Sequence, residues 1–388
     1  MKKRVAILGV TGSIGRSTLE VIRAEKDSFE PILFSSHTSI DELLTVGKEF
    51  PDAVLVLSGQ NQGIEHGLKY GLQDLLKAIQ DSGADIVVNG ITGAAGLVPS
   101  LVSLEAGADL ALANKETIVM AAPLVFDAAA KGGGKIIPID SEHSAIFNLI
   151  NAHGIDRVEE ILLTASGGPF RKYTAEALMT IRPEEALVHP TWAMGPKITV
   201  DSATLANKGL EVIEAAGLFH IPVDKIRVVV HPQSIIHSMI RLTDGAVYAQ
   251  LSKPDIRLPI HEALNFPECV PCAFGRLGFD ALTLEFEKPD NKKFPMLPLA
   301  YEAVRSGGIT PTVYNAANEV AVAAFLAKGA TFLDIPRIVE NVLTMAWPCP
   351  HLDLPSILEA DAKARQSAQT FIAEKCACAG NFVASGAS

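Results

Sequence analysis

Short apolar runs alternate with amphipathic stretches along the first third of the chain. Residues 4–9, 31–34, 53–57, 85–89, 109–113 and 135–139 each carry a short apolar run without the alternation of a one-sided strand. Strands buried on both faces read this way. Between them, helical spacing opens at Ser13, covers 71–81 and about 97–106, and returns before 135. Strand and helix in regular alternation predict a parallel, doubly wound sheet. Further strands are expected at 157–163, 226–230 and 246–251. Residues 266–298 are rich in Pro and Phe with weak periodicity, as a linker is, and helical spacing returns at 315–326, 334–346 and 355–374. The expected fold class is therefore α/β: a Rossmann-like N-terminal sheet, an α/β domain with its own sheet, a linker and a C-terminal helical domain. The expected boundaries are 1–139, 140–265, 266–298 and 299–388, with a loose tail from Cys376 to Ser388.

The first strand runs into Gly9-Val-Thr-Gly12-Ser-Ile-Gly15 and then a helix. A glycine-rich turn at a strand-to-helix junction lets backbone approach a pyrophosphate seated on the helix N-terminus, so a dinucleotide is expected. The second strand ends in Ser35-Ser-His-Thr38, where an NAD site places an acid for the ribose 2′-hydroxyl. Hydroxyls and an imidazole there favour a 2′-phosphate, hence NADP, or form a polar turn that caps the next helix. Residues 90–96 make a second small-residue turn through which a cofactor could approach backbone.

Strands deliver polar residues at their carboxyl ends, where doubly wound sheets bind ligands: Asn114-Lys115-Glu116 and Asp140-Ser141-Glu142-His143. Asp140 and Glu142, two apart at a strand end, leave on one side and repel unless a cation sits between them. They read as ligands to a hard cation or as caps of the helix that follows. Residues 199–211 carry Ser202 as a candidate N-cap, then Asn207, Lys208 and Glu211 on one helix face. That is a phosphate grip with a carboxylate beside it, or an ordinary solvated helix. Ser166 ahead of Gly167-Gly168 reads as an anion nest or a plain tight turn. The stretch His189 to Pro196 holds Trp192 and Met194, and could close over a ligand or supply core.

At 388 residues the chain exceeds one compact core, and its 48% apolar and 20% charged content is that of a soluble protein. A net charge of −11 argues against nucleic acid or an anionic membrane as partner. Met1-Lys-Lys-Arg4 precedes an apolar run too short for a signal peptide, and no stretch is apolar enough to span a bilayer, so a cytoplasmic protein is expected. All five cysteines lie in the last third. Cys269-Val-Pro-Cys272 lacks the second Cys-x-x-Cys pair of a zinc site, so reduced thiols are expected. The absence of any cysteine before Cys269 speaks against a dehydrogenase with a thiol nucleophile. A metal-dependent sugar-phosphate isomerase or phosphatase would need no glycine-rich first turn. A non-catalytic NADP-binding protein would leave the acids and phosphate donors without a task.

Leu112-Ala-Asn-Lys-Glu116, Asp140-Ser-Glu-His143, Ala165-Ser-Gly-Gly-Pro-Phe170, the stretch 199–211, His231-Pro-Gln-Ser-Ile-Ile-His-Ser238 and Asn315-Ala-Ala-Asn-Glu-Val-Ala-Val322 occur in that order. The set resembles the 1-deoxy-D-xylulose 5-phosphate reductoisomerase family, from Arg4 to about residue 372. The resemblance implies an NADPH- and divalent-metal-dependent enzyme that rearranges and reduces 1-deoxy-D-xylulose 5-phosphate to 2-C-methyl-D-erythritol 4-phosphate for isoprenoid synthesis. It implies a homodimer whose second domain is catalytic. Asp140, Glu142 and Glu211 would bind Mg²⁺ or Mn²⁺, and Ser166, Ser202, Asn207 and Lys208 the substrate phosphate. Lys115 and Ser141 would contact substrate oxygens, which Glu142 and Glu211 would also reach. Glu116 would border that site, and His189 would close on the substrate with Trp192 and Met194. Lys115, Glu116, His189 and Glu211 are thereby the candidate catalytic set. Thr11, Gly12, Ser13 and Ile14 would lie under the pyrophosphate, with Ser36, His37, Thr38, Asn114, Glu116 and Gly195 as further cofactor contacts. Where the family often shows Gly-Lys-Asn, this chain has Ser36-His37-Thr38.

Overall fold

The computed structural model describes residues 2–59, 68–192, 194–349 and 351–384, with side chains described up to residue 375. In chain order the first elements are β1 (Lys3–Leu8), α1 (Ser13–Ala24), β2 (Phe29–Ser36), α2 (Ile40–Glu49), β3 (Val54–Leu57) and β4 (Lys69–Tyr70). There follow α3 (Gly71–Ser82), β5 (Ile86–Asn89), α4 (Leu97–Glu105), β6 (Asp109–Leu112), α5 (Lys115–Gly132), β7 (Ile136–Pro138) and α6 (Ser141–His153). Next come β8 (Val158–Ala165), α7 (Ala175–Leu178), α8 (Pro183–Ala186), α9 (Pro196–Thr204), α10 (Ala206–Phe219), β9 (Ile226–Val230), β10 (Ile236–Leu242) and β11 (Val247–Leu251). The chain ends with α11 (Arg257–Asn265), α12 (Met296–Ser306), α13 (Thr310–Leu326), α14 (Asp334–Leu343) and α15 (Leu354–Ala384).

The chain forms two compact units. One comprises Met1–Ile118, Ala122–Glu159 and Ile235–Leu282. Its seven strands lie in the order β4-β3-β2-β1-β5-β6-β7, every pairing parallel. Strand order reverses at β1, so the carboxyl end of β1 is the switch point at which such sheets bind ligands. Leu8 is level with Ser35 on β2 and Asn89 on β5, which puts the glycine turn at that point. Val5, Ala6, Ile7 and Leu8 are all fully buried, which explains their missing alternation. The core adds Leu19 and Ile22 of α1, Phe34, Val88 and Ile137 from the sheet, and Ile260, Ala263 and Leu264 of α11. Helix α6 and the antiparallel pair β10–β11 pack into the same unit.

The other unit comprises Val119–Ala121, Glu160–Ser234 and Thr283–Ser388. It holds the parallel pair β8–β9, in register from Ile161 with Ile226 to Ala165 with Val230. Around it stand α9, α10 and the helices α12 to α15, packed through Leu210, Ile213, Ala300, Val313, Phe325, Ile338 and Val342. Gly209 is needed in mid-helix: a Cβ there would lie 2.6 Å from the Tyr314 hydroxyl and 2.8 Å from Ala300 Cβ.

The units cut across the four expected segments. Helices α6 and α11 and the β10–β11 pair belong with the first sheet, although the sequence places them after residue 139. The short elements β4, α7 and α8 carry too few residues for a periodic signal. Helix α15 continues to Ala384, past the point where a loose tail is expected, and Ser385–Ser388 lie outside the described residues. Among the described residues no helix is long and apolar enough to cross a membrane.

Candidate active site

Three groups of expected residues are each assembled within one unit. The first is the glycine turn. Gly9 has φ +81°, a conformation L side chains rarely adopt, and its N–H donates to Ser35 O at 3.0 Å. A Cβ on Gly15 would run into Gly9 O and Val10 Cα, so the third glycine lets the helix start pack on the turn. Helix α1 begins at Ser13 with Gly12 as its N-cap, no side-chain cap and no acid in its first turn. Its leading N–H groups are thus available to an anion. Thr11 Oγ1 lies 2.9 Å from Ser36 Oγ, and the Ser39 N–H donates to the same Ser36 oxygen at 3.3 Å. Ser36 is buried and braces the turn from beneath, whereas His37 and Thr38 are exposed. His37 Nδ1 stands 3.2 Å from Ser58 Oγ. Asn114, expected at the cofactor, is the buried N-cap of α5 and accepts from Thr117 N at 2.9 Å. Its amide donates to Ile91 O at 2.5 Å and Gly93 O at 2.8 Å, and a Cβ on Gly96 would lie 2.6 Å from Asn114 Cγ. Within 90–96, Gly96 thus makes room for the Asn114 side chain.

The second group stands at the ends of β6 and β7. Lys115 is 4% exposed and its Nζ donates to Asp140 Oδ2 at 2.9 Å. Glu116, also buried, accepts from Asn114 Nδ2 at 3.3 Å. Strand β7 ends at Pro138 and α6 begins at Ser141, so Asp140 and Glu142 do not leave a strand on one side. Asp140 is the N-cap instead, and its Oδ1 accepts from Glu142 N at 3.3 Å. Ser141 Oγ donates to Glu142 Oε2 at 3.1 Å. Sequence reasoning passed over His143, whose fully buried ring has Nδ1 3.2 Å from Asp140 Oδ1. Its signal was its place directly after Glu142, one helical turn beyond Asp140.

The third group lies in the second unit. Ser202 is not an N-cap: it sits in the last turn of α9, and the chain breaks at Leu205, left-handed with φ 62°, before α10 begins. Asn207 and Lys208 accordingly fall in the first turn of α10, which has no acid and no side-chain cap. An ammonium there opposes the positive end of the helix unless an anion is close. Glu211, 1% exposed, is that anion. It accepts from Asn207 Nδ2 at 2.5 Å on Oε1 and pairs with Lys208 Nζ through Oε2.

His189 Nε2 stands 3.1 Å from both Ser166 Oγ and Ser202 Oγ. Its Nδ1 accepts from Thr191 N at 3.1 Å and Trp192 N at 2.9 Å. A nitrogen that accepts two N–H groups carries no proton, so the proton is on Nε2 and the ring is neutral. Burial agrees, lowering the His189 pKa to about 4. Gly167 and Gly168 follow Ser166 with φ 81° and 70°, and Gly168 N donates to Ser166 Oγ at 3.2 Å. The two serines and the imidazole form one polar cluster at which an anion can be bound. Trp192 and Met194 are half-buried and Gly195 is exposed as the N-cap of α9. Ala193 lies outside the described residues.

Family models match three stretches of the chain. One described as 1-deoxy-D-xylulose 5-phosphate reductoisomerase covers 5–122, its C-terminal domain covers 136–219, and the DXP reductoisomerase C-terminal domain covers 251–367. The protein named 1-deoxy-D-xylulose 5-phosphate reductoisomerase in Chlorobaculum tepidum is 48% identical over 95% of this chain and 100% of its own length. Its namesake in Treponema denticola is 46% identical over 96% and 98%. Among solved structures, the Zymomonas mobilis enzyme of that name, in complex with NADPH, superposes with a TM-score of 0.88 at 40% identity, covering 96% of this chain and 99% of its own. A DOX-P reductoisomerase in complex with NADPH, fosmidomycin and magnesium gives 0.88 at 37% identity, covering 95% and 98%.

Proposed function

The chain belongs to the 1-deoxy-D-xylulose 5-phosphate reductoisomerase family, and from that premise we propose how its residues share the work. It is an NADPH-dependent oxidoreductase that converts 1-deoxy-D-xylulose 5-phosphate to 2-C-methyl-D-erythritol 4-phosphate, a step of isoprenoid synthesis. The observation that carries the assignment is the Ser166–His189–Ser202 cluster, followed in the chain by the uncapped first turn of α10. Ser166, Ser202, Asn207 and Lys208 hold the substrate phosphate, and His189 adds a neutral Nε2–H. The phosphate takes no part in bond-making. Its binding energy holds the sugar in place, so losing a ligand to it lowers turnover as well as affinity.

Asp140, Glu142 and Glu211 are the proposed metal ligands. The donor set fits a hard divalent cation: all three offer carboxylate oxygens, and Asp140 and Glu211 are each charge-compensated by a lysine. A bound Mg²⁺ or Mn²⁺ supplies Lewis acidity toward the sugar's oxygens, and NADPH supplies hydride. Lys115 and Ser141 orient substrate oxygens, with Glu142 and Glu211 within the same site and Glu116 at its border. His189, Trp192 and Met194 close over the sugar and exclude water. The amides of Thr11 to Ile14 take the pyrophosphate. Exposed His37 and Thr38 face the 2′-phosphate, with Ser36 acting through Thr11, and Asn114, Glu116 and Gly195 complete the cofactor site.

We place the enzyme in the cytoplasm as a homodimer. Free thiols at Cys269, Cys272 and Cys349 suit a reducing compartment. Purified protein given the deoxyxylulose phosphate should oxidise NADPH only with a divalent cation present; turnover that survives EDTA removes the metal assignment. Glu211→Gln should abolish turnover and leave NADPH affinity unchanged, and joint loss would mean the residue is misplaced.

A further inference from the structure

Asp201 precedes Ser202 on α9, is fully buried, and has no part in the assignments above. Its Oδ1 accepts from Asn318 Nδ2 of α13 at 2.8 Å. Lys197 Nζ, one turn earlier, stands 3.0 Å from Oδ2 without the alignment of a hydrogen bond. A carboxylate only accepts, so the Asn318 amide must turn its NH₂ toward it. The Asn318 carbonyl oxygen is buried and has no hydrogen-bond partner among the described atoms, so the amide is committed to Asp201.

One turn earlier on α13 stands Tyr314, whose hydroxyl donates to Met296 O at 3.1 Å and lies against Gly209 of α10. The two contacts are four residues apart on α13, hence on one face. That face therefore holds α9 through Asn318 and α10 through Tyr314. The helices are joined by Leu205 alone; α10 packs chiefly on α12, so the hold of α13 on α9 through Asn318 bears on the angle between the two.

We propose that Asp201 and Asn318 are positioning residues for the phosphate subsite. Their buried hydrogen bond fixes α9 so that Ser202 stays within reach of His189 while α10 presents Asn207 and Lys208. The proposal rests on the phosphate reading of that cluster. A buried charged group contributes little net stability compared with an apolar pair of the same volume, but it admits fewer arrangements.

Inorganic phosphate, as a competitor of the sugar phosphate, reads the subsite alone. In the full-length enzyme Asn318→Ala should raise both its inhibition constant and the substrate KM by about tenfold, the loss of one hydrogen bond to a charged group. NADPH affinity should not change. The exchange Asp201→Asn with Asn318→Asp reverses donor and acceptor, and should restore phosphate inhibition relative to either single variant. A lowered melting temperature with unchanged phosphate inhibition overturns the proposal. Should Asn318→Ala fail to fold, the exchange is read against Asp201→Asn, and absence of recovery overturns it as well. Lys208→Met separates the two readings. If it weakens phosphate inhibition and folded Asn318→Ala does not, the positioning role falls; if neither does, the phosphate reading falls and takes the positioning role with it.

Discussion

Replacing Lys208 by methionine removes an ammonium and keeps most of the side chain's length. The Lys208 and Glu211 side chains are 6% and 1% exposed, so their ion pair is almost fully desolvated. Two effects follow, and they differ in sign. Toward the sugar phosphate the variant loses a hydrogen bond between charged groups, about 1.5–3 kcal/mol, or roughly a 10- to 150-fold rise in KM. Toward the metal it loses a competitor. In the metal-free protein Lys208 neutralises Glu211, and a cation that takes Glu211 must share or displace that ammonium. Breaking a buried pair leaves a charge that costs about 3–5 kcal/mol. Each 1.4 kcal/mol of that cost relieved by the incoming cation tightens its binding about tenfold.

Lys208→Met should therefore be less stable than the parent without metal, gain more stability on adding Mn²⁺, and bind Mn²⁺ about tenfold tighter or better. Calorimetric titration with Mn²⁺ in the absence of substrate measures the affinity, and thermal melts with and without Mn²⁺ measure the stability gain. A raised KM with unchanged or weakened Mn²⁺ affinity would refute the competition and leave Glu211 outside the metal site. An unchanged KM would remove Lys208 from the phosphate site.

At the cofactor turn, Gly15→Ala should weaken NADPH binding sharply and lower stability by about 1–3 kcal/mol, because the new methyl meets backbone that cannot yield. Gly12→Ala should be milder, since its nearest neighbour, Gly9 O, is 3.3 Å from the added carbon; equal effects in a fluorescence titration of NADPH would refute this packing. For His189 the pKa falls from 6.5 to about 4 on burial. Above pH 6.5 the ring is neutral in both the folded and unfolded chain, and its contribution is complete. As pH drops from 6.5 toward 4 the unfolded chain takes up a proton that the folded one refuses, so stability declines across that range. Urea unfolding across that range should show a shallower decline in His189→Gln.

The first sheet was legible because its strands are buried on both faces. An apolar run without alternation, as short as Val5 to Leu8 and ending in a glycine turn, is too brief for a buried helix and fits a central strand. The break between α9 and α10 was not legible. Helical spacing reads as starting just after Ser202, and Leu205, the left-handed residue, is neither the Gly nor the Asn that usually marks such a position. Ser202 therefore read as a cap, while its hydroxyl is held instead by His189, thirteen places away in the chain. Such a partnership leaves no trace in local periodicity. The strand end before Asp140 was misplaced for a related reason: the apolar run 136–139 continues to Ile139, yet β7 stops at Pro138 and the helix claims Asp140 as its cap.

Residue type sorted the acids and lysines into separate tasks, a metal site and a phosphate grip, and on that division Lys208 could be altered without touching the metal. The structure joins the tasks. Glu211 lies three residues after Lys208 in the first turns of α10, and Asp140 reaches Lys115 across twenty-five residues, so each of these acids is held by a lysine. A carboxylate buried without a counter-charge would take up a proton or unfold its surroundings. Any cation that binds those acids therefore has to contend with charges already in place. On the proposed assignment of Glu211 to the metal and Lys208 to the phosphate, the two affinities are coupled through the Lys208–Glu211 pair.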